Sequence, residues 1–95
     1  MDIGDRVRKY LEKDKKGVRR ELLLLLLDGR KHISDDIYEV LKAKGYEINK
    51  KSVSAMLGVV SSKLGIVKME LGERKKYYIK PEYRELLREM LESTL

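Results

Sequence analysis

Eight side chains between residues 50 and 76 are of the types that bind a polyanion. They are six bases and two hydroxyls: Lys50, Lys51, Ser52, Ser54, Lys68, Arg74, Lys75 and Lys76. Ammonium and guanidinium groups neutralise phosphates and release counterions, and Lys and Ser side chains can also reach base edges in a DNA groove. The spacing predicts two contacting segments, one around residues 50–54 and one around residues 68–76.

Positive charge is concentrated in the part of the chain that carries these side chains. Residues 49–80 hold eight Lys or Arg and two Glu, a net charge of +6, and residues 1–20 add +4. Residues 21–48 and residues 81–95 each carry −2. This clustering is typical of nucleic-acid-binding proteins, and the alternative interpretation is an ordinary Lys-rich solvated surface.

The elements that must position these side chains are mainly helices. Apolar residues at helical spacing predict one helix over residues 2–13, a Leu-rich one over residues 18–28 and a last one over residues 81–93. Ser34 predicts the N-cap of a helix that ends at Gly45. Asn49 predicts the N-cap of the next, over about residues 50–64. We therefore expect one domain of residues 1–95, with a core region of 18–80 flanked by two terminal helices.

The helix predicted over residues 50–64 has two different faces. At about 100° per residue, the apolar residues that cluster on one side are Val53, Met56, Leu57, Val60 and Leu64. The residues on the opposite side are Lys51, Ala55, Gly58 and Ser62. Gly inside a helix costs about 1 kcal/mol relative to Ala, so we expect something to pack closely there. That could be a DNA backbone read with weak or shape-based specificity, or another protein.

A change of period follows this helix. Alternation over residues 66–71, a turn at residues 72–74 and a return over residues 75–80 predict a β-hairpin. His32 and Ile33 could add a very short strand, and of Tyr77 and Tyr78 one ring is expected in the core and one on the surface. The predicted fold class is mainly α with a small β-hairpin: a winged helix-turn-helix with extra N- and C-terminal helices.

Residues 33–68 also resemble the DNA-binding half of the ferric-uptake regulator family. The resemblance is carried by residues 33–45, residues 48–53, Leu57 and residues 64–67, which match an acidic helix start with an Ile-Tyr pair, a Gly turn and a Val-containing start of the recognition helix. It implies a winged helix that binds DNA. Ser54 and Ala55 stand where that family carries a Tyr-Arg pair. The family's metal-binding dimerisation domain and its His and Cys ligands are missing, so no metal sensing is expected.

Several function classes are disfavoured by what the sequence lacks. There is no Cys and one His, so no metal site and no cofactor are expected, and no acid pair or glycine-rich phosphate loop suggests an enzyme. The longest apolar run, residues 22–27, is far shorter than the roughly 20 residues that cross a bilayer, so we expect no membrane association and a cytoplasmic protein. Fourteen Lys and ten Glu with no Gln resemble the composition of proteins from hot environments.

The prediction from sequence is a small DNA-binding transcriptional regulator that binds double-stranded DNA. The helix of residues 50–64 would act as recognition helix and residues 66–80 as a basic wing. A chain this short buries a low fraction of its surface, and its leucines need cover on all sides, so a homodimer through the terminal helices is expected. The alternative is a winged-helix protein-protein interaction module that does not bind nucleic acid. Two carboxylates, Asp35 and Asp36, favour that alternative because they would repel phosphate.

Overall fold

A computed structural model of the chain describes residues 2–14 and 16–93, without the Ser93 side chain. Within these residues there are five α-helices and three short strands: α1 (Ile3–Glu12), α2 (Val18–Leu26), β1 (His32–Ile33), α3 (Ser34–Ala43), α4 (Lys50–Gly58), β2 (Val67–Glu70), β3 (Lys76–Ile79) and α5 (Arg84–Ser93). A π-helical segment, Val59–Lys63, continues α4, and a 3₁₀ turn, Pro81–Tyr83, leads into α5. The predicted mainly helical fold with a small sheet is confirmed. The outermost residues of the predicted 1–95 domain lie outside the described range.

Helix ends follow the local sequence chemistry. The Asn49 side chain accepts a hydrogen bond from the Ser52 N–H at 2.8 Å and caps α4, as predicted. Gly45 ends the turn after α3 with φ +95°, a conformation that costs glycine little. The prediction for Ser34 is wrong: Ile33 is the N-cap of α3 and Ser34 is its first helical residue. Because Ile33 belongs to β1, the chain passes from strand to helix without a separate capping residue.

The core joins the helices to one face of the sheet. Its buried apolar residues are Val7, Tyr10, Leu22, Leu23, Leu26, Ile37, Leu41, Val53, Leu57, Val60, Leu64, Ile66, Val67, Ile79, Leu87 and Leu91. The buried face predicted for α4 is therefore confirmed, with Met56 half-buried at its margin. In α2 the leucines are buried or half-buried except Leu24, which is 36% exposed.

The sheet has the order β1-β3-β2, with both pairings antiparallel. The predicted hairpin and the short His32–Ile33 strand are confirmed. Val67 lies opposite Ile79 and both are buried, but the hairpin then runs past the core. Met69 is 37% and Leu71 75% exposed, so of the three residues that alternation places on one side of the strand, Val67, Met69 and Leu71, the first is the one that is buried. Tyr77 and Tyr78 are both half-buried, and of the two rings Tyr77 packs against the core, so the expected division into a core ring and a surface ring holds in part.

A candidate nucleic-acid interface

The first turn of α4 holds two of the six candidate bases, Lys50 and Lys51. Both are exposed, and no acidic residue lies in that turn. Cations at a helix N-terminus oppose the helix dipole, which favours carboxylates there. The two lysines therefore do not stabilise the helix that carries them. Within the described chain, Lys50 has an anion from outside its own helix in the Asp35 carboxylate of α3.

The hairpin holds four more candidates. Lys68 lies in β2, Lys76 begins β3, and Arg74 and Lys75 lie in the turn between the strands; all four are exposed. The register places Lys76 opposite Glu70. Glu70 is already paired, because its Oε2 lies 2.6 Å from the Lys31 Nζ. That hydrogen bond raises the pKa of Lys31 and lowers the pKa of Glu70.

The N-terminus of α3 lies between these two basic groups. Asp35 Oδ1 is 3.7 Å from the Lys50 Nζ on one side. On the other side, Ser34 and Asp35 line a shallow cavity of about 330 Å³ together with Arg74 and Lys75. The start of α4 and the hairpin turn therefore form one basic face, with the Asp35 carboxylate inside it. We call this surface, made of Lys50, Lys51, Arg74 and Lys75, the basic face; Lys76 follows it along β3 and lines a separate cavity with Glu70.

The two candidate serines lie differently. Ser54 is exposed on the same side of α4 as Lys51, whereas Ser52 is about 100° round the helix from Lys51. Ser52 lines a separate cavity of about 160 Å³ with Tyr46 and Met56. The structure thus brings Ser54 close to the basic face and turns Ser52 away from it.

The outward face of α4 is flat and uncharged beyond its first turn. Ala55, Gly58 and Ser62 are exposed, and a Cβ placed on Gly58 would meet no atom of the described chain within 4 Å. The Ser62 hydroxyl donates to the Gly58 carbonyl oxygen at 2.6 Å, and the Ser61 hydroxyl donates to that of Leu57 at 2.7 Å. The hydroxyl protons are therefore used within the helix. The close packing expected at Gly58 does not come from the described part of this chain.

The other cluster of bases, near the N-terminus, is partly structural. The Arg19 Nη1 donates to the Tyr10 carbonyl oxygen at 2.8 Å, and its guanidinium lies 4.4 Å from the centre of the Tyr10 ring. The Arg20 Nη2 donates to the Leu91 carbonyl oxygen at 2.7 Å. The Asp14 carboxylate accepts hydrogen bonds from the backbone N–H groups of Arg19 and Arg20. It thereby caps the N-terminus of α2, because the N-cap residue Gly17 has no side chain that could accept these hydrogen bonds. No sequence signal separated these arginines from the exposed bases.

Burial of one tyrosine marks the same helical layer as tightly packed. Tyr10 is 8% exposed, and burial raises the pKa of its hydroxyl to about 12. Within the described residues that hydroxyl has no hydrogen-bond partner. Because the Tyr10 hydroxyl is buried, an anion in solvent cannot reach it. Tyr10 therefore contributes to the packing of α1, α2 and α5 and is not a candidate binding residue.

The described residues contain no group of three or more His, Asp or Glu side chains placed to hold a metal ion. In the same part of the chain, no helix is both long and apolar enough to cross a membrane.

Comparison with known proteins places the chain in a family. A family model described as "Protein of unknown function (DUF2551)" matches residues 7–87. A relative from Archaeoglobus fulgidus, described as "Uncharacterized protein", is 50% identical over 91 residues, which cover 96% of this chain and 94% of the relative. No solved structure matches the chain. Since the family model and the relative each span most of the sequence, the chain belongs to the DUF2551 family.

Proposed function

We propose that the protein is a winged helix-turn-helix DNA-binding protein that acts as a small transcriptional regulator. In this proposal α3 and α4 are the helix-turn-helix pair, α4 is the recognition helix and the β2–β3 hairpin is the wing. The element order supports it, because α3 and α4 are joined only by residues 44–49 and a hairpin follows directly. The resemblance of residues 33–68 to the ferric-uptake regulator family points the same way.

The basic face carries the proposal. Lys50 and Lys51 lie at a helix start that disfavours cations, and Arg74 and Lys75 lie in a hairpin turn that needs no charge to form, with Lys76 next to them at the start of β3. The two groups lie on either side of the start of α3. A continuous polyanion that passes over this face would meet both groups at once.

Each group has its own part in the proposed complex. Lys50, Lys51 and Ser54 enter the major groove, while Lys68, Arg74, Lys75 and Lys76 hold the phosphate backbone. Ser52 is the weakest member of the proposed set because it faces a different cavity. Beyond the first turn of α4 the outward face offers few groups that read bases, so affinity comes mainly from phosphates and specificity from DNA shape.

A homodimer belongs to the same proposal. The terminal helices offer it a groove of about 360 Å³ between α2 and α5, whose lining includes Leu24, Leu27 and Arg88. Most of the terminal apolar stripe already lies in the chain's own core, where Leu87 and Leu91 are fully buried. The area left for a second copy on these helices is therefore small.

Salt-dependent binding of a labelled DNA duplex tests the proposal. Fluorescence anisotropy of a mixed-sequence duplex would be measured against protein at several salt concentrations. We expect log affinity to fall linearly with log salt, with a slope that corresponds to about four to five phosphates per subunit, or roughly −4. A matched titration with a neutral polymer of the same length controls for non-specific association.

Absence of binding at low salt would overturn the proposal. The protein-interaction alternative would then lead, since the exposed, small-residue face of Ala55, Gly58 and Ser62 also suits close packing against another protein.

A further inference from the structure

β2 is a free edge of the sheet. In the order β1-β3-β2 it pairs with β3 on one side, and no strand of the described chain lies on the other. The Lys80 N–H donates to the Ile66 carbonyl oxygen at 2.9 Å, which makes residues 66 and 80 a hydrogen-bonded pair. Along an antiparallel ladder, hydrogen-bonded and non-hydrogen-bonded residue pairs alternate. The backbone N–H and C=O groups of Lys68 and Glu70 therefore point toward β3. Those of Met69 point out to the free edge.

The same edge leaves apolar side chains uncovered. Met69 is 37% and Leu71 75% exposed, and among the described residues Leu24 is the one other large hydrophobic side chain this exposed. Exposed edges with apolar side chains template pairing with another strand, which proteins usually prevent with charges or bulges. Here the charges, Lys68 and Glu70, stand on either side of Met69 and are of opposite sign.

We propose that β2 pairs antiparallel with β2 of a second copy of this chain, about a two-fold axis through Met69. Lys68 then lies opposite the partner's Glu70, and Glu70 opposite the partner's Lys68. Leu71 lies opposite the partner's Val67, and the two Met69 side chains meet at the axis. The interface is isologous, as a two-fold dimer requires, and it joins the two sheets into one.

Two independent facts select this register. The first is the direction of the backbone groups. Only the N–H and C=O groups of Val67, Met69 and Leu71 point away from β3 and can form hydrogen bonds with a new strand. The second is charge. Of the axes that these directions allow, the one through Met69 places each Lys68 opposite a Glu70. An axis through Val67 would instead place Lys68 opposite Ile66, and an axis through Leu71 would place Glu70 opposite Gly72. With the axis at Met69, each Lys–Glu contact is a non-hydrogen-bonded pair, whose side chains are the closer kind.

The pairing goes beyond the proposed DNA binding and does not depend on it. It turns Lys68 from a phosphate contact into a partner of a carboxylate, while Arg74, Lys75 and Lys76 stay exposed on the hairpin turn and β3. Lys31 occupies Oε2 of Glu70 and leaves the other oxygen for the partner's Lys68. A contact of about five residues per strand is short beside the roughly 1,200–2,000 Å² of a standard interface, so dimerisation is expected to depend on concentration.

Charge exchange across the axis tests the pairing. Sedimentation velocity would be run over a concentration series for the wild type, Lys68→Glu, Glu70→Lys and the double variant. Each single reversal creates two like-charge contacts and is expected to raise the dimer dissociation constant about tenfold. The double variant restores opposite charges and is expected to return the constant to within about threefold of the wild type. Thermal unfolding of each monomer checks that the fold survives the loss of the Lys31 contact.

Leu24→Glu is the matched variant on the terminal helices. If β2 forms the dimer, the Leu24→Glu substitution leaves the dimer dissociation constant unchanged. In the wild type, exchange of the Met69 amide hydrogen then slows as the protein concentration is raised. A wild type that stays monomeric, a double variant that does not recover, or a dimer lost with Leu24→Glu but kept with Glu70→Lys would each overturn the pairing. DNA binding separates the two proposals, because Glu70→Lys adds positive charge to the hairpin and is expected to keep or strengthen duplex affinity.

Discussion

The first 20 residues and residues 49–80, which carry the basic face, contain the same number of bases but use them differently. Residues 1–20 and residues 49–80 each contain eight Lys or Arg. In the first segment Arg19 and Arg20 donate to backbone carbonyl oxygens and link α2 to α1 and α5. On the basic face, Lys51, Arg74 and Lys75 are exposed, and no hydrogen bond within the described residues uses their side chains. A count of charges cannot distinguish bases that hold the fold together from bases whose side chains face solvent, whereas their hydrogen bonds can.

Charge reversal on the hairpin is expected to have the largest effect, because it tests whether the exposed bases there bind DNA. The triple variant Arg74→Glu, Lys75→Glu and Lys76→Glu is expected to lower duplex affinity at low salt by about 100-fold or more, because three phosphate contacts become repulsive. Fluorescence anisotropy measures it.

A matched reversal on α1 controls for net charge. The variant Arg6→Glu, Lys9→Glu and Lys13→Glu changes three exposed bases and brings the net charge from +6 to zero, as the hairpin variant does. We expect it to lower affinity by less than about tenfold, since only long-range attraction is lost. Equal losses in the two variants would show that the hairpin is not a contact surface.

Removal of the carboxylate that serves the start of α2 tests the structural side of the comparison. Asp14→Ala deletes two hydrogen bonds to backbone N–H groups and is expected to lower the free energy of unfolding by about 1–2 kcal/mol. Urea unfolding measures it, and duplex affinity should not change. Asp5→Ala removes an exposed pair with Arg8 and a carboxylate in the first turn of α1 but no hydrogen bond to a backbone N–H, and it should cost less than about 1 kcal/mol.

The smallest expected effect concerns the acid inside the basic face. Asp35→Asn removes a carboxylate 3.7 Å from the Lys50 Nζ and next to Arg74 and Lys75. It should raise duplex affinity about threefold, because one charge that repels phosphate is lost. Asp36→Asn on the same exposed turn is the control and should have a smaller effect. If Asp35→Asn weakens binding instead, Asp35 orients Lys50 for contact and does not merely oppose the DNA.

Local chemistry made the main elements predictable. Asn49 and Gly45 set helix ends that the structure confirms, and the change of period after residue 65 located the hairpin. Ser34 was misassigned because its neighbour Ile33 pairs with Lys76, a contact 43 positions along the chain that no local signal reveals. Alternation over residues 66–71 gives the direction of each side chain but not where the core ends, so it did not indicate that Leu71 would be exposed.

The candidate site was predictable in residue type and only partly in placement. Charge clustering picked out Lys50, Lys51 and the hairpin bases. Their position on both sides of Asp35 depends on how α3 packs between α4 and the hairpin, which spacing along the chain does not encode. The capping role of Asp14 was missed because its hydrogen bonds reach five and six residues ahead, beyond the usual capping distance.

The π-helical segment has a consequence for how relatives of this chain can differ in length. Residues 59–63 hold wider turns than an α-helix, with the Leu64 N–H donating to the Val59 carbonyl oxygen at 2.9 Å. A π turn accommodates an extra residue within an α-helix. It lies after the lysines of α4 and before β2, so a one-residue deletion here would be absorbed by a return to α-helical winding. One-residue deletions among relatives should therefore be tolerated in this segment better than at the first turn of α4.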